Sequence, residues 1–289
     1  MQITLAFHNP HIESRYRELG AVDFIDFARG DAGNSAAEIL VTNSFHPIDK
    51  SMLDRMPRLK LIASPTTGLD HIDTRECAER GITILSLQGA AEFLKSIPSV
   101  AELTVWFMLE LLREPHRSNR VMGNQLKGKC LGIWGMGRIG THVRRRVSAF
   151  EARVIGGDTD RDGDITLREL LEQSDIFSIH VPLTEETDGM ITEEYLRLMK
   201  PTALLINTAR AQIIERSALC IAIRERWIAG YGTDVARDDQ EMHDLKKLRQ
   251  EGFNVVLTQH IGGYTREARE ATDLYIFERV AQYVGQSIK

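Results

Sequence analysis

No apolar run in this chain of 289 residues approaches the length needed to span a bilayer, so no membrane partner is expected. Positive charge is not in excess either. A formal net charge of −5 gives no general attraction to nucleic acid or to an anionic membrane surface. Cysteine is scarce, and Cys77, Cys130 and Cys220 stand far apart with no metal or redox spacing among them. Reduced, mostly buried thiols in a cytoplasmic protein are the simplest expectation. Repeats and low-complexity segments are lacking. The opening residues 1–7 are too short, and too poor in flanking basic residues, to read as a signal peptide. They read as a first strand.

What is there is ample apolar material, 43% of residues, and a length that suits two domains better than one. Strand-like and helix-like segments alternate throughout, the pattern of an α/β protein with parallel sheets. In the first part strands are expected at 3–7, 22–27, 39–42, 59–64 and 82–85, with helices around 12–19, 50–55 and 74–80. Residues 99–112 form a long, mostly apolar helical run suited to a linker or an interface. A second α/β set follows, with strands at 130–134, 153–156, 176–180, 203–207, 230–234 and 255–258. A last helix, 265–283, is placed to return to the first domain. Charge-dense loops are expected at 158–164 and 237–244.

The most informative stretch is Leu131-Gly-Ile-Trp-Gly-Met-Gly-Arg-Ile-Gly140. Gly135, Gly137 and Gly140 form G-x-G-x-x-G directly after an apolar run, with a helix expected over 138–150. The first glycine permits a tight turn, the second lets a pyrophosphate approach the backbone, and the third lets helix and strand pack closely. The helix N-terminus adds unpaired N–H groups and partial positive charge. Alone this motif is weak. Here a second apolar run ends at Asp158, eighteen residues beyond Gly140, where a ribose-binding carboxylate belongs. The same loop carries a competing pattern. Residues 158–169 have acids at positions 1, 3 and 5, glycine at 6 and glutamate at 12 of an EF-hand loop. Against calcium, a strand rather than a helix leads in, there is no partner loop, and Asp158 would have to serve both ribose and metal. The alternative is a solvated acidic turn that caps the next helix, and no metal is assigned.

Seven segments in order resemble the D-isomer-specific 2-hydroxyacid dehydrogenase family. They are Thr67-Gly-Leu-Asp-His-Ile-Asp73, Ser99-Val-Ala-Glu102, the glycine motif, Ser174-Asp-Ile-Phe-Ser-Ile-His-Val-Pro-Leu183, Leu204-Leu-Ile-Asn-Thr-Ala-Arg210, Gly232-Thr-Asp-Val235 and Gln259-His-Ile-Gly-Gly263. The resemblance implies a Rossmann dinucleotide-binding domain (97–263) inserted into a flavodoxin-like substrate domain (1–96 plus 264–289). It implies NAD-dependent interconversion of a 2-oxo acid and a D-2-hydroxy acid. Arg210 would hold the substrate carboxylate and C2 oxygen, a role suited to a permanently charged planar fork of donors. His260 would move the proton. The family's supporting glutamate falls on Asp239, one methylene shorter, with Asp238 as competitor. Arg138 and Ile139 would meet the pyrophosphate and Asp158 the adenosine ribose. Val181, Thr208 and Asp234, with the neighbouring Ala209 and Gly263, would line the cofactor site, and N–H groups near Thr67, Gly68 and Leu69 would face the substrate carboxylate. Asp158 favours NAD over NADP by repelling a 2′-phosphate, although Arg161 is close by.

Two segments depart from the family pattern. Residues 113–129 are short, and 158–167 leave little room for the usual helix and strand at the adenosine edge. These departures, with the altered acid, keep open a second reading, an NAD-sensing binding protein with little turnover. The loop 42–47 carries no arginine of the kind phosphoglycerate-type members place there. A homodimer through the 99–112 helix is the family expectation.

Overall fold

The computed structural model describes residues 1–7, 9–25, 35–43, 46–115, 122–158 and 165–287. The chain divides into two compact units, one made of Met1–Leu94 with Arg266–Lys289 and the other of Lys95–Thr265.

In the first unit, β1 (Gln2–Leu5), β2 (Ala21–Phe24), β3 (Ile39–Val41), β4 (Leu61–Ala63) and β5 (Thr83–Leu85) form one parallel sheet in the order β2-β1-β3-β4-β5. This 2-1-3-4-5 order is that of flavodoxin-like folds. The expected second strand ran on to residue 27, but 26–34 lie outside the described residues. Helices α1 (Pro10–Leu19), α2 (Lys50–Asp54) and α3 (Thr74–Glu79) begin at acceptor side chains. Asn9, Asp49 and Asp73 each accept a backbone N–H of the first turn. A further short helix, α4 (Ala91–Leu94), precedes the crossing to the second unit. The C-terminal helix returns as expected and packs here. Its Phe277 meets Tyr16 edge-on, 5.2 Å between ring centroids, and its Tyr275 stacks on Phe93 at 4.3 Å.

The second unit opens with α5 (Ser99–Arg113) and carries β6 (Cys130–Trp134), α6 (Arg138–Ser148), β7 (Arg153–Gly157), α7 (Leu167–Gln173), β8 (Ile176–Ile179) and α8 (Glu193–Arg197). It continues with β9 (Leu204–Asn207), a 3₁₀ turn at Ala211–Ile213, α9 (Arg216–Arg224), β10 (Gly230–Thr233), α10 (Asp239–Gln250) and β11 (Val255–Leu257); α11 (Arg266–Ser287) closes the chain in the first unit. All six strands are parallel, ordered β11-β10-β9-β8-β6-β7. Every residue of β6, β8, β9 and β10 is buried, as the near-continuous apolar runs require of strands covered on both faces. Side chains alternate between the layers: Leu131, Ile133 and Ile206 pack with α5 and α6, and Trp134, Phe177 and Leu205 with α7 to α10. Strand order reverses at β6, which pairs with both β7 and β8. In open α/β sheets ligands bind outside the strand ends at that switch point.

Two expectations need correction. Residues 237–244, expected as a loop, start α10. Asp238 accepts from Glu241 N, Asp239 and Glu241 stand at the positive end, Lys247 and Arg249 at the negative end, and Leu245 and Leu248 are buried. The amphipathic α9 was also not anticipated. Among the described residues no strand lies beyond β7, and most of the short adenosine-edge segment, 159–164, lies outside them.

Gly140 lies where the first turn of α6 meets the β6 turn, and a Cβ there would come within 2.1 Å of the Gly135 carbonyl oxygen. Gly140→Ala is therefore expected to cost about 2 kcal/mol or more through overpacking against backbone. A urea unfolding midpoint unchanged from the parent would refute this packing.

Candidate active site

The three motif glycines are required for different reasons. Gly135 has φ +101°, and a Cβ would lie 2.5 Å from the His180 carbonyl carbon at the end of β8. Gly140 is fixed by packing. Gly137 has neither excuse: its φ is −68° and a Cβ would meet nothing within 4 Å. It caps α6 without a side-chain hydrogen bond, which leaves the helix N-terminus open to an anion. Beside it, burial holds the Arg138 guanidinium below its ordinary basicity, and its Nη1 donates to the Ile97 carbonyl at 3.3 Å. Ile139 packs against the α5–α6 core. Asp158, at the end of β7, accepts from Met136 N inside the glycine turn at 3.0 Å. A space in front of a glycine, an uncapped helix and a desolvated cation fit a pyrophosphate. The carboxylate one strand away fits its ribose.

The EF-hand reading fares differently. Position 12, Glu169, accepts from Thr166 N and Oγ1 at 2.9 and 2.7 Å in a capping box, and position 1 is the Asp158 just described. Asp160, Arg161 and Asp162 lie outside the described residues. Ile165 has returned to the end of β7, its carbonyl oxygen 2.5 Å from where a Gly157 Cβ would be. No group of three metal-ligating side chains occurs among the described residues.

Arg210 follows β9 at the sheet's C-terminal edge. Fully buried Asn207 shapes its turn, accepting from Ala209 N at 3.0 Å and donating to the Arg210 carbonyl at 2.8 Å. The guanidinium is half-buried and its Nη1 reaches the Ala209 carbonyl at 2.8 Å. Thr208 is buried against Thr104, 3.1 Å between hydroxyl oxygens, and Val181 is buried after β8.

His260 is exposed and sits at φ +55°, an uncommon conformation for a residue with a Cβ. Asp234 holds it there. The buried carboxylate of Asp234 accepts from Thr258 Oγ1 (2.5 Å), Ile261 N (2.8 Å) and Gly262 N (2.7 Å), while its carbonyl accepts His260 N at 2.9 Å. A Cβ at Gly262 would lie 2.9 Å from that carboxylate, so the glycine is needed. Gly263 is exposed beside it. The structure thus joins Asp234 to His260, a link the motif reading missed because it runs through main chain. It does not pair Asp239 with His260. Asp239 occupies the first turn of α10, exposed, and makes no hydrogen bond or ion pair with a described residue; Asp238 is spent on the cap and on Arg216 at 3.4 Å.

In the first unit, the loop after β4 holds Thr67, Gly68 and Leu69. Thr66 Oγ1 donates to the Gly68 carbonyl at 2.8 Å, and Ser64 Oγ contacts Thr66 Oγ1 (2.8 Å) and His71 Nε2 (3.3 Å) beneath it.

His180 is a further group of the second unit, half-buried, that sequence reading did not single out. Its Nε2 lies 2.8 Å from Ser178 Oγ, its Nδ1 is buried without a partner, and burial holds its pKa down to about 3. As pH falls below the ordinary 6.5, the unfolded chain takes up a proton that folded His180 refuses. Stability present at neutral pH is therefore lost progressively toward pH 3, and His180→Asn should flatten the slope of urea midpoint against pH between about 7 and 5. Equal slopes would remove His180 as the cause. For the glycine turn, Gly137→Ala should weaken NADH binding at least about ten-fold while shifting stability by less than about 1 kcal/mol, read by fluorescence titration and melting. Unaltered binding would mean that no phosphate approaches this turn.

Comparison with known proteins accords with this geometry. Residues 101–262 match the family model for the D-isomer specific 2-hydroxyacid dehydrogenase NAD binding domain. A glyoxylate reductase of Thermofilum pendens is 38% identical over 250 residues, 77% of this chain and 71% of its own length. The crystal structure of a D-lactate dehydrogenase of Aquifex aeolicus complexed with NAD and lactic acid matches with a TM-score of 0.78 at 28% identity, covering 100% of this chain and 96% of that one. An acyclic imino acid reductase in complex with NADPH and D-Arg matches with a TM-score of 0.79 at 27% identity, covering 99% and 98%. The chain belongs to the D-isomer-specific 2-hydroxyacid dehydrogenase family, and residues 101–262 are its NAD-binding domain.

Proposed function

We propose that the chain reduces a short 2-oxo acid of the glyoxylate or pyruvate type to the corresponding D-2-hydroxy acid, consuming NADH and one proton and releasing NAD⁺. The observation that carries this reading is the carboxylate strut of Asp234, which spends a buried charge on holding an exposed histidine in a strained turn. Bound cofactor would supply the hydride; the protein supplies the rest. The Gly137 turn and Arg138 hold the pyrophosphate, and Asp158 the ribose, with Val181, Thr208, Ala209, Asp234 and Gly263 along the cofactor site. Arg210 grips the carboxylate and C2 oxygen of the substrate through charge-assisted hydrogen bonds. His260 gives its proton to the C2 oxygen as negative charge develops there, and takes it back in the reverse direction. Asp239 is the acid of its loop that the fold leaves uncommitted, and so the one available to support the imidazolium.

The glyoxylate reductase and D-lactate dehydrogenase among the similar proteins support a small substrate. The short edge beyond β7 and the exposed Asp239 favour the second reading, a protein that binds NADH with little turnover.

The deciding measurement is NADH oxidation with glyoxylate, hydroxypyruvate, pyruvate and 3-phosphohydroxypyruvate, with NADH binding measured separately. Turnover of at least one acid is expected, with His260→Gln lowering kcat by about 100-fold or more and Arg210→Gln acting mainly on KM. Binding of NADH with no turnover of any acid would replace the enzyme by a sensor. An Asp239→Asn variant with the parent's pH profile would remove that residue from the mechanism.

A further inference from the structure

Beyond these residues, one charge pair, a half-buried arginine beside a buried glutamate, has no evident part in forming the sheet. Arg237 stands in the loop between β10 and α10, with Glu241, only 3% exposed, in the first turn of that helix. Glu241 Oε2 accepts Arg237 N at 2.5 Å, and its Oε1 lies 3.9 Å from Arg237 Nε. Asp238 Oδ1 in turn accepts Glu241 N at 2.7 Å, so the glutamate is fixed from its own backbone. From this base the guanidinium reaches across to another loop. Arg237 Nη2 donates to the Gln212 carbonyl at 3.3 Å and to the Ile214 carbonyl. One carbonyl lies within the 3₁₀ turn that follows Arg210 and the other directly after it.

The Arg210 segment is therefore gripped at both ends. Asn207 takes the carbonyl of Arg210 itself, and Arg237 takes the carbonyls two and four residues on. The loop that supplies Arg237 begins at Asp234, whose carboxylate holds the turn of His260. The short stretch of chain from Asp234 to Arg237 thus joins the hydrogen bonds that support the turn of His260 to those that hold the segment after Arg210. A buried ion pair contributes little net stability compared with apolar packing of similar volume, whereas it fixes geometry through its directional bonds. Both carbonyls are taken by one nitrogen, Nη2, at the end of a side chain long enough to reach the neighbouring loop.

We infer that Arg237, held by Glu241, is a positioning residue that sets Arg210 for the substrate carboxylate. This rests on the reading of Arg210 given above.

The test compares wild type with Arg237→Gln, Arg237→Lys and Glu241→Gln in full-length protein. Four quantities are read: KM and kcat for the preferred acid, the Kd of NADH, and the Kd of oxamate for the NADH-loaded protein. The inference expects Arg237→Gln to raise KM and the oxamate Kd at least ten-fold with the NADH Kd within two-fold. Arg237→Lys should recover part of the loss by reaching one carbonyl, and Glu241→Gln should fall between. If the variants instead lose activity only in proportion to the fraction still binding NADH, with KM and oxamate affinity at wild-type values, the pair is structural and the inference is overturned. Failure of the wild type itself to bind oxamate or turn over any acid is a different result. It refutes Arg210 as a substrate anchor and takes the positioning role with it.

Discussion

The Asp234 carboxylate is the constraint on which the proposed chemistry depends. It lies at the end of a wholly buried strand, where an ionised carboxylate is costly unless its oxygens are satisfied. Three donors satisfy them, one hydroxyl and two consecutive backbone N–H groups. Those two N–H groups converge on one acceptor because the preceding residue, His260, takes a left-handed conformation. The strain at the histidine and the burial of the aspartate are thus two sides of one arrangement, and each is sustained by the other. Gly262 follows from the same geometry, since a side chain there would occupy the place of the carboxylate.

The nucleotide side follows a comparable logic with backbone instead of charge. Gly135 and Gly140 are demanded by close approach to β8 and by the turn itself, whereas Gly137 is left without a packing partner. A position that folding does not require to be glycine, at the uncapped start of a helix, marks where backbone must stay bare for something else. Asp158 reinforces this by holding Met136 N, which ties the end of β7 to the middle of the turn. With β7 at the edge of the sheet, the groups proposed to hold the cofactor lie within one turn, one helix start and one strand end.

Much of this was legible in the sequence, for a physical reason. Strands buried on both faces read as unbroken apolar runs, so β6 was placed to the residue and β8 and β9 nearly so. The glycine spacing named its own turn. Helix α10 was not legible, because only Leu245 and Leu248 of its apolar residues are buried and its acids resemble a solvated loop. Helix α9 failed differently, hidden in a run where Ala218, Leu219, Ala222 and Ile223 face inward and Ile221 is exposed. Among site residues, Arg210 and His260 stood out through motifs. The roles of Asn207, Asp234 and Arg237 did not, since each acts on main-chain atoms of another segment, and sequence spacing carries no trace of such contacts.

The acids after Asp234 illustrate how a fold sorts similar side chains. Four occur between residues 238 and 244, and counting along the chain cannot rank them. In the structure Asp238 caps α10, Glu241 is buried against Arg237, and Asp244 accepts from Arg216 at 2.9 Å and from Gln240 at 2.9 Å. Each of these has a task in holding this segment. Asp239 alone has no such partner among the described residues. It stands exposed in the first turn of α10 and is the acid proposed to support the imidazolium. The aspartate sits between Arg237 and Glu241, and that pair ties this helix start to the turn that follows Arg210.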